Sequence, residues 1–161
     1  MNTSDDTKGG EPAPHPERAA QPDTGARPAP AFTLRVRVRY GETDQMGVVH
    51  HAAYLHYLED ARTAWLRALG LPYSAIEARG IGLPVRRADL RYRAPARYED
   101  ELDVTVHLAR MRGASATFAY TVVRSDGLAL VDAEVELACI ELASGRPRLL
   151  PDDLRGRLAA D

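Results

Sequence analysis

The chain has 161 residues, 45% of them hydrophobic, and a formal net charge of -2. That length suits one domain with an ordinary core and leaves too little apolar surface for a second. The near-neutral balance gives no general attraction for nucleic acid or an anionic membrane, and no apolar run is long enough to cross a bilayer.

In chain order, residues 1–30 come first, with six of the eleven prolines and almost no large apolar side chains. Such a segment cannot offset its ordering entropy, so the sequence predicts a disordered tail before a domain over residues 31–161. The tail has neither the apolar stretch of a secretory leader nor the acid-poor character of a transit peptide, and a cytoplasmic location is expected. Next, Leu34, Val36, Val38 and Tyr40 alternate with Arg35, Arg37 and Arg39, the pattern of a half-buried strand. A long helix is predicted over Ala53–Leu69, with Tyr54, Leu58, Ala61, Trp65 and Ala68 near one face and Gly70 and Pro72 as stop signals. A short helix is predicted over Tyr73–Arg79, then strands over Val85–Tyr92, Leu102–Met111, Ala116–Arg124 and Leu128–Ile140. Arg112-Gly113 and Ser125-Asp126-Gly127 are the predicted turns, and Pro151 opens a final helix reaching Leu158. One long helix among a run of strands reads as α+β.

The connection Tyr40–His51 carries the candidate chemistry. Asp44 lies just ahead of the long helix, where backbone N–H groups have no intrahelical partner. A carboxylate beside such donors suits acyl transfer, as nucleophile or as the base for a water, although a turn aspartate is the plainer reading. Glu42 is expected to be solvated. Gly47 permits a tight turn or a close substrate approach. Glu59 and Arg62, three apart on the helix, are expected to pair, with Glu59 alternatively steadying the aspartate loop. His56 and His107 read as surface or interface residues. His50, His51, His56 and Asp60 do not make a metal site, because His51 and His56 miss the one-turn spacing of a helical pair. The single cysteine, Cys139, reads as a buried structural thiol, with no disulfide and no thiol cluster for zinc. Twenty of the twenty-one basic residues are arginine, whose forked head suits phosphate.

The run Tyr40-Gly41-Glu42-Thr43-Asp44-Gln45-Met46-Gly47-Val48-Val49-His50-His51 resembles the hotdog-fold thioesterases, in the branch of 4-hydroxybenzoyl-CoA thioesterase and the YbgC-like acyl-CoA thioesterases. Gly80-Ile81-Gly82-Leu83-Pro84-Val85 and Tyr92-Arg93-Ala94-Pro95-Ala96-Arg97-Tyr98-Glu99-Asp100-Glu101-Leu102 fit in the same order, so the likeness runs from about Phe32 to Ile140. The resemblance implies an antiparallel sheet wrapped around one long central helix. It implies hydrolysis of an acyl-CoA thioester without metal or cofactor, in a homodimer that joins its sheets edge to edge, with active sites at the interface, or in a homotetramer of two such dimers. It makes Asp44 the catalytic carboxylate and gives the His51 backbone N–H the task of polarising the thioester carbonyl. The His51 imidazole orients water or thiolate, or else caps the helix. Glu59 is a second-rank candidate, since another hotdog branch carries its carboxylate on the central helix. His50 replaces a frequent aromatic residue and receives no role. Arg110, Arg112 and Ser115 match a basic segment that contacts CoA, although Gly113-Ala114 stand where that segment is more basic; Arg91, Arg93 and Arg97 are alternatives. Tyr54, Leu58, Leu83 and Pro84 are the acyl-pocket candidates by position, with core packing as the alternative, and Gly47 is a substrate-approach candidate. An acyl-carrier-protein thioesterase, a hotdog hydratase/dehydratase and a non-catalytic acyl-CoA-binding protein are the competing functions. The hydratase group places its histidine five residues after the aspartate, whereas His51 follows Asp44 by seven.

Overall fold

Alternating apolar residues zip into a five-stranded antiparallel sheet whose strands lie side by side in the order Ala31–Arg37, Glu101–Arg112, Ser115–Arg124, Ala129–Ala138 and Val85–Tyr92. The computed structural model describes residues 31–160, and the tail predicted over residues 1–30 lies outside them. The sheet comprises β1 (Ala31–Arg37), β3 (Val85–Tyr92), β4 (Glu101–Arg112), β5 (Ser115–Arg124) and β6 (Ala129–Ala138). Leu102, Val104 and Val106 on β4 and Phe118, Tyr120 and Val122 on β5 all lie on the buried face. The 16-residue helix α1 (Ala53–Ala68) lies in the core with them, burying Tyr54, Leu58, Ala61 and Trp65. Trp65 meets Phe118 edge to face, with ring centroids 6.1 Å apart. This sheet around one helix is the α+β class expected from the pattern and the hotdog arrangement implied by the resemblance.

Truncating Phe118, which is 1% exposed, should leave a cavity beneath Trp65. Phe118→Ala is expected to cost ~3–5 kcal/mol in urea unfolding, and a loss under ~1 kcal/mol would contradict this packing.

Four local readings change. β1 ends at Arg37, and Tyr40 is 78% exposed, because Arg39 N–H closes onto the Glu42 carboxylate and turns the chain into a 3-10 turn over Tyr40–Glu42. Ala68 is exposed as α1 ends before Gly70, and Leu66 is buried instead. The second helix, α2 (Tyr73–Glu77), is shorter than predicted, with Gly80 N–H bonding back to Glu77 in a turn. The predicted strand Leu128–Ile140 divides at Cys139, whose N–H goes to Ala114 C=O. Beyond it β7 (Ile140–Glu141) pairs with β2 (Ile81–Gly82) as a separate two-stranded ladder. Gly82 makes that possible, since a Cβ there would lie 2.7 Å from Leu142 Cδ2. Helix α3 (Asp152–Ala160) closes the chain, buries Leu154 and Leu158, and is tied to Arg79 through Asp153.

Arginine–carboxylate pairs hold three acids below the usual carboxylate range: half-buried Asp103 by Arg35, and exposed Asp153 by Arg79 and Asp126, brought to about 2, by Arg124. A carboxyl lowered by folding stabilises the native state above its unfolded pKa, and that contribution disappears as pH falls through the folded value. Stability should therefore decline as pH drops below about 4, with NMR titration placing the Asp126 carboxyl near 2. An Asp126 that titrates like a free peptide aspartate would remove the Arg124 pairing from the account.

Candidate active site

The loop between β1 and α1 is built as a small hairpin. Thr43 and Val49 bridge in antiparallel fashion, Asp44 N–H donates to Val48 C=O at 2.9 Å, and Gly47 N–H returns to Asp44 C=O at 2.9 Å. Gly47 has φ +73°, a left-handed conformation that costs glycine little, and so lets the turn close. Val49 N–H anchors the return limb to Ala96 C=O.

Within this hairpin the Asp44 side chain is half-buried, and its Oδ1 accepts Met46 N–H at 2.8 Å. Its other oxygen has no hydrogen-bond partner among the described residues. One oxygen is thus held by the turn while the second stays open to a reactant.

The entrance to α1 supplies the complementary group. Ala53 N–H bonds to His50 C=O at 2.9 Å, and Ala52 N–H reaches His50 Nδ1 at 3.2 Å. His50, which had no assigned role, therefore holds the turn that leads into the helix, its ring tilted against that of His51 at 4.2 Å. The His51 N–H has no hydrogen-bond partner among the described residues, and the Tyr92 hydroxyl donates to His51 C=O at 3.0 Å.

Asp44 and His51 line one cleft of about 340 Å³ together with Met46, Val48, Val49 and Tyr54. Its far wall is Tyr92, Arg93, Ala94 and Pro95, where β3 ends. Tyr54 and Tyr92 meet edge to face at 5.6 Å, and burial pushes both phenols above their ordinary range. They stay protonated near neutrality. A carboxylate with a free oxygen, an unpaired N–H at a helix start and an apolar wall are what attack on an acyl carbonyl requires.

Other candidates fall elsewhere. Gly47 shapes the loop and does not line the cleft, and neither do Leu58, Leu83 or Pro84; Leu58 is core at 1% exposure. Glu59 is exposed and does not pair with Arg62. Arg62 turns inward instead, giving Nε to Tyr73 OH at 3.0 Å and Nη1 to Tyr120 OH at 3.3 Å. Glu42 is not simply solvated: its carboxylate accepts Tyr57 O–H and Arg39 N–H, each at 2.7 Å. Among the described residues no group of three or more His, Cys, Asp or Glu is placed to hold a metal ion. Of the end wall Tyr92–Pro95, the sequence offers only Arg93 as a site residue, as an alternative CoA contact. Only the return of β3 to the helix start reveals the wall.

Arg110, Arg112 and Ser115 do come together, with Thr117 and Glu136, around a second cleft of about 360 Å³ at the β4–β5 turn. Arg110 is paired to Glu134 at 3.0 Å. A second basic segment runs alongside, since Arg148 N–H bonds Cys139 C=O and Leu150 N–H bonds Gly113 C=O.

Residues 38–158 match the thioesterase-like superfamily. The chain belongs to that superfamily. It is 37% identical over 123 residues to the acyl-CoA thioester hydrolase YbgC of Escherichia coli, covering 76% of this chain and 92% of that one. It is 34% identical to the acyl-CoA thioesterase YbgC of Haemophilus influenzae, covering 77% and 91%. Among solved structures, the hypothetical protein TT1821 of Thermus thermophilus superposes with a TM-score of 0.74 at 40% identity, covering 79% of this chain and 96% of that one. As a thioesterase-superfamily member, the protein combines the Asp44 cleft with a separate basic cleft in a single chain. No helix among its described residues is long and apolar enough to cross a membrane.

Proposed function

We propose that this protein hydrolyses an acyl-CoA thioester to the free acid and CoA. The observation that carries the reading is one cleft holding the Asp44 carboxylate and the unpaired His51 N–H. Asp44 attacks the thioester carbonyl, giving a mixed anhydride that water then hydrolyses to the acid and the free Asp44 carboxylate, or it takes a proton from the water that attacks instead. The carbonyl oxygen gains charge against the His51 N–H and the start of α1, the C–S bond breaks, and CoA leaves as thiolate to be protonated. The net change is addition of water across the C–S bond. The apolar wall of Met46, Val48, Tyr54 and Tyr92 suits a medium-chain or aromatic acyl group, and Arg110, Arg112 and Ser115 suit CoA phosphates.

A homodimer, or a homotetramer of two dimers, belongs to the same reading. β3 is an edge strand, with Val85 and Tyr92 exposed at 52% and 48%. An open edge of this kind invites pairing with a second copy, which would close the cleft next to Tyr92. A cytoplasmic location also belongs here, because CoA thioesters are made and used inside cells. The test is a panel of short, long and aromatic acyl-CoAs, and the same acyl groups on a carrier protein, with released thiol trapped. Release from CoA esters at the mass of two or four chains is expected; no release from any of them, or a monomer, would contradict the proposal.

A further inference from the structure

Glu42 lies two residues before Asp44, yet it reaches both limbs of the active loop and the helix behind it. Its main-chain carbonyl accepts His50 N–H at 2.8 Å. Its carboxylate accepts Tyr57 O–H from α1 at 2.7 Å and Arg39 N–H at 2.7 Å, and pairs with Arg39 Nε at 3.1 Å. Tyr57 is 2% exposed, and burial together with Glu42 pushes its phenol far above the ordinary range, so it stays a donor. The carboxylate side chain is only 18% exposed.

We propose that Glu42 and Tyr57 are positioning residues that act as a clamp, aiming the His51 N–H at the thioester oxygen by holding the Val49–His50 peptide, one unit ahead of it, against α1. The proposal rests on the hydrolase reading above. Because Glu42 C=O occupies the His50 N–H, the next donor along the chain, His51, is the one left over. The Tyr57 hydroxyl then fixes Glu42 to α1, which starts two residues after His51. A donor serves an oxyanion only when placed to within a fraction of an ångström, and a side chain two turns away from the substrate can set that placement. Glu42 keeps the Arg39 contacts when the Tyr57 hydroxyl is gone, and Tyr57 keeps its packing against Tyr54 at 5.8 Å.

The test uses full-length Tyr57→Phe, Glu42→Gln and the double variant on an acyl-CoA that the wild type hydrolyses. Tyr57→Phe should lower kcat ~10-fold with KM changed less than twofold and with melting temperature and oligomer mass retained. Glu42→Gln keeps an acceptor for Tyr57 and should lose less than Tyr57→Phe, and the double variant should fall short of the product of the two losses. In an Asp44→Asn background, which holds substrate uncleaved, the carbonyl stretch of a bound aroyl-CoA should shift less from its free value once Tyr57 is Phe. Wild-type kcat in Tyr57→Phe, or an unchanged carbonyl shift, overturns the clamp and leaves the hydrolase reading standing. A wild type that cleaves no thioester overturns the hydrolase reading, and the clamp with it.

Discussion

Asp44→Asn is expected to lower thioester turnover by ~100-fold or more while the protein stays folded and assembled, as for loss of a positioned base or nucleophile. The substitution is informative because of how the residue is held. Its Oδ1 accepts Met46 N–H, a bond that the asparagine carbonyl oxygen reproduces, so the turn closed by Gly47 is retained. What disappears is the charge and the nucleophilic or basic character of the free oxygen. Circular dichroism and sedimentation check the fold, and single-turnover kinetics with trapped thiol check the step. Unaltered turnover would remove Asp44 from the reaction. Single-turnover hydrolysis in 18O-water reads the route: label in the Asp44 carboxylate, with acid released unlabelled, marks an anhydride that water opens at the Asp44 carbonyl, whereas activated water delivers its label straight to the acid.

Removing the basic cleft should affect substrate binding and spare the chemistry. Arg110→Ala with Arg112→Ala is expected to raise KM for acyl-CoA roughly 30- to 100-fold, as two charge-assisted contacts in a partly solvated site would. KM for the matching acyl-pantetheine, which has no nucleotide phosphates, should not change. Of the two single variants, Arg112→Ala is expected to have the larger effect, because Arg110 is already paired with Glu134 at 3.0 Å. Raising the salt concentration should weaken acyl-CoA binding by the wild type and have little effect on the double variant. An equal rise in KM for both substrates would place CoA elsewhere.

Period was the legible part of this chain. Two-residue alternation in β4 and β5 and the helical spacing of Tyr54, Leu58, Ala61 and Trp65 predicted the sheet and helix, because burial on one face writes itself into sequence period. The reading failed where a local hydrogen bond overrode the period. Tyr40 continues the alternation of β1 but sits in solvent, since Glu42 captures Arg39 N–H and turns the chain. Cys139 continues β6 in sequence, yet its N–H leaves for Ala114, and the next residues pair with β2. Spacing on a helix also misjudged Arg62: Glu59 is within reach in principle, but the hydroxyls of Tyr73 and Tyr120 satisfy the guanidinium from the buried side.

The sequence by itself determined the α+β class, the Asp44 loop ahead of a helix start, and the arginines and serine at the β4–β5 turn. These depend on residues close together in the chain. Only the tertiary structure decided that Tyr92 to Pro95 wall the Asp44 cleft, that Leu58 belongs to the core, and that Glu42 is bound to Tyr57. Each of these is a meeting of segments separated along the chain, and such meetings follow from sheet register and helix placement, which no local pattern encodes.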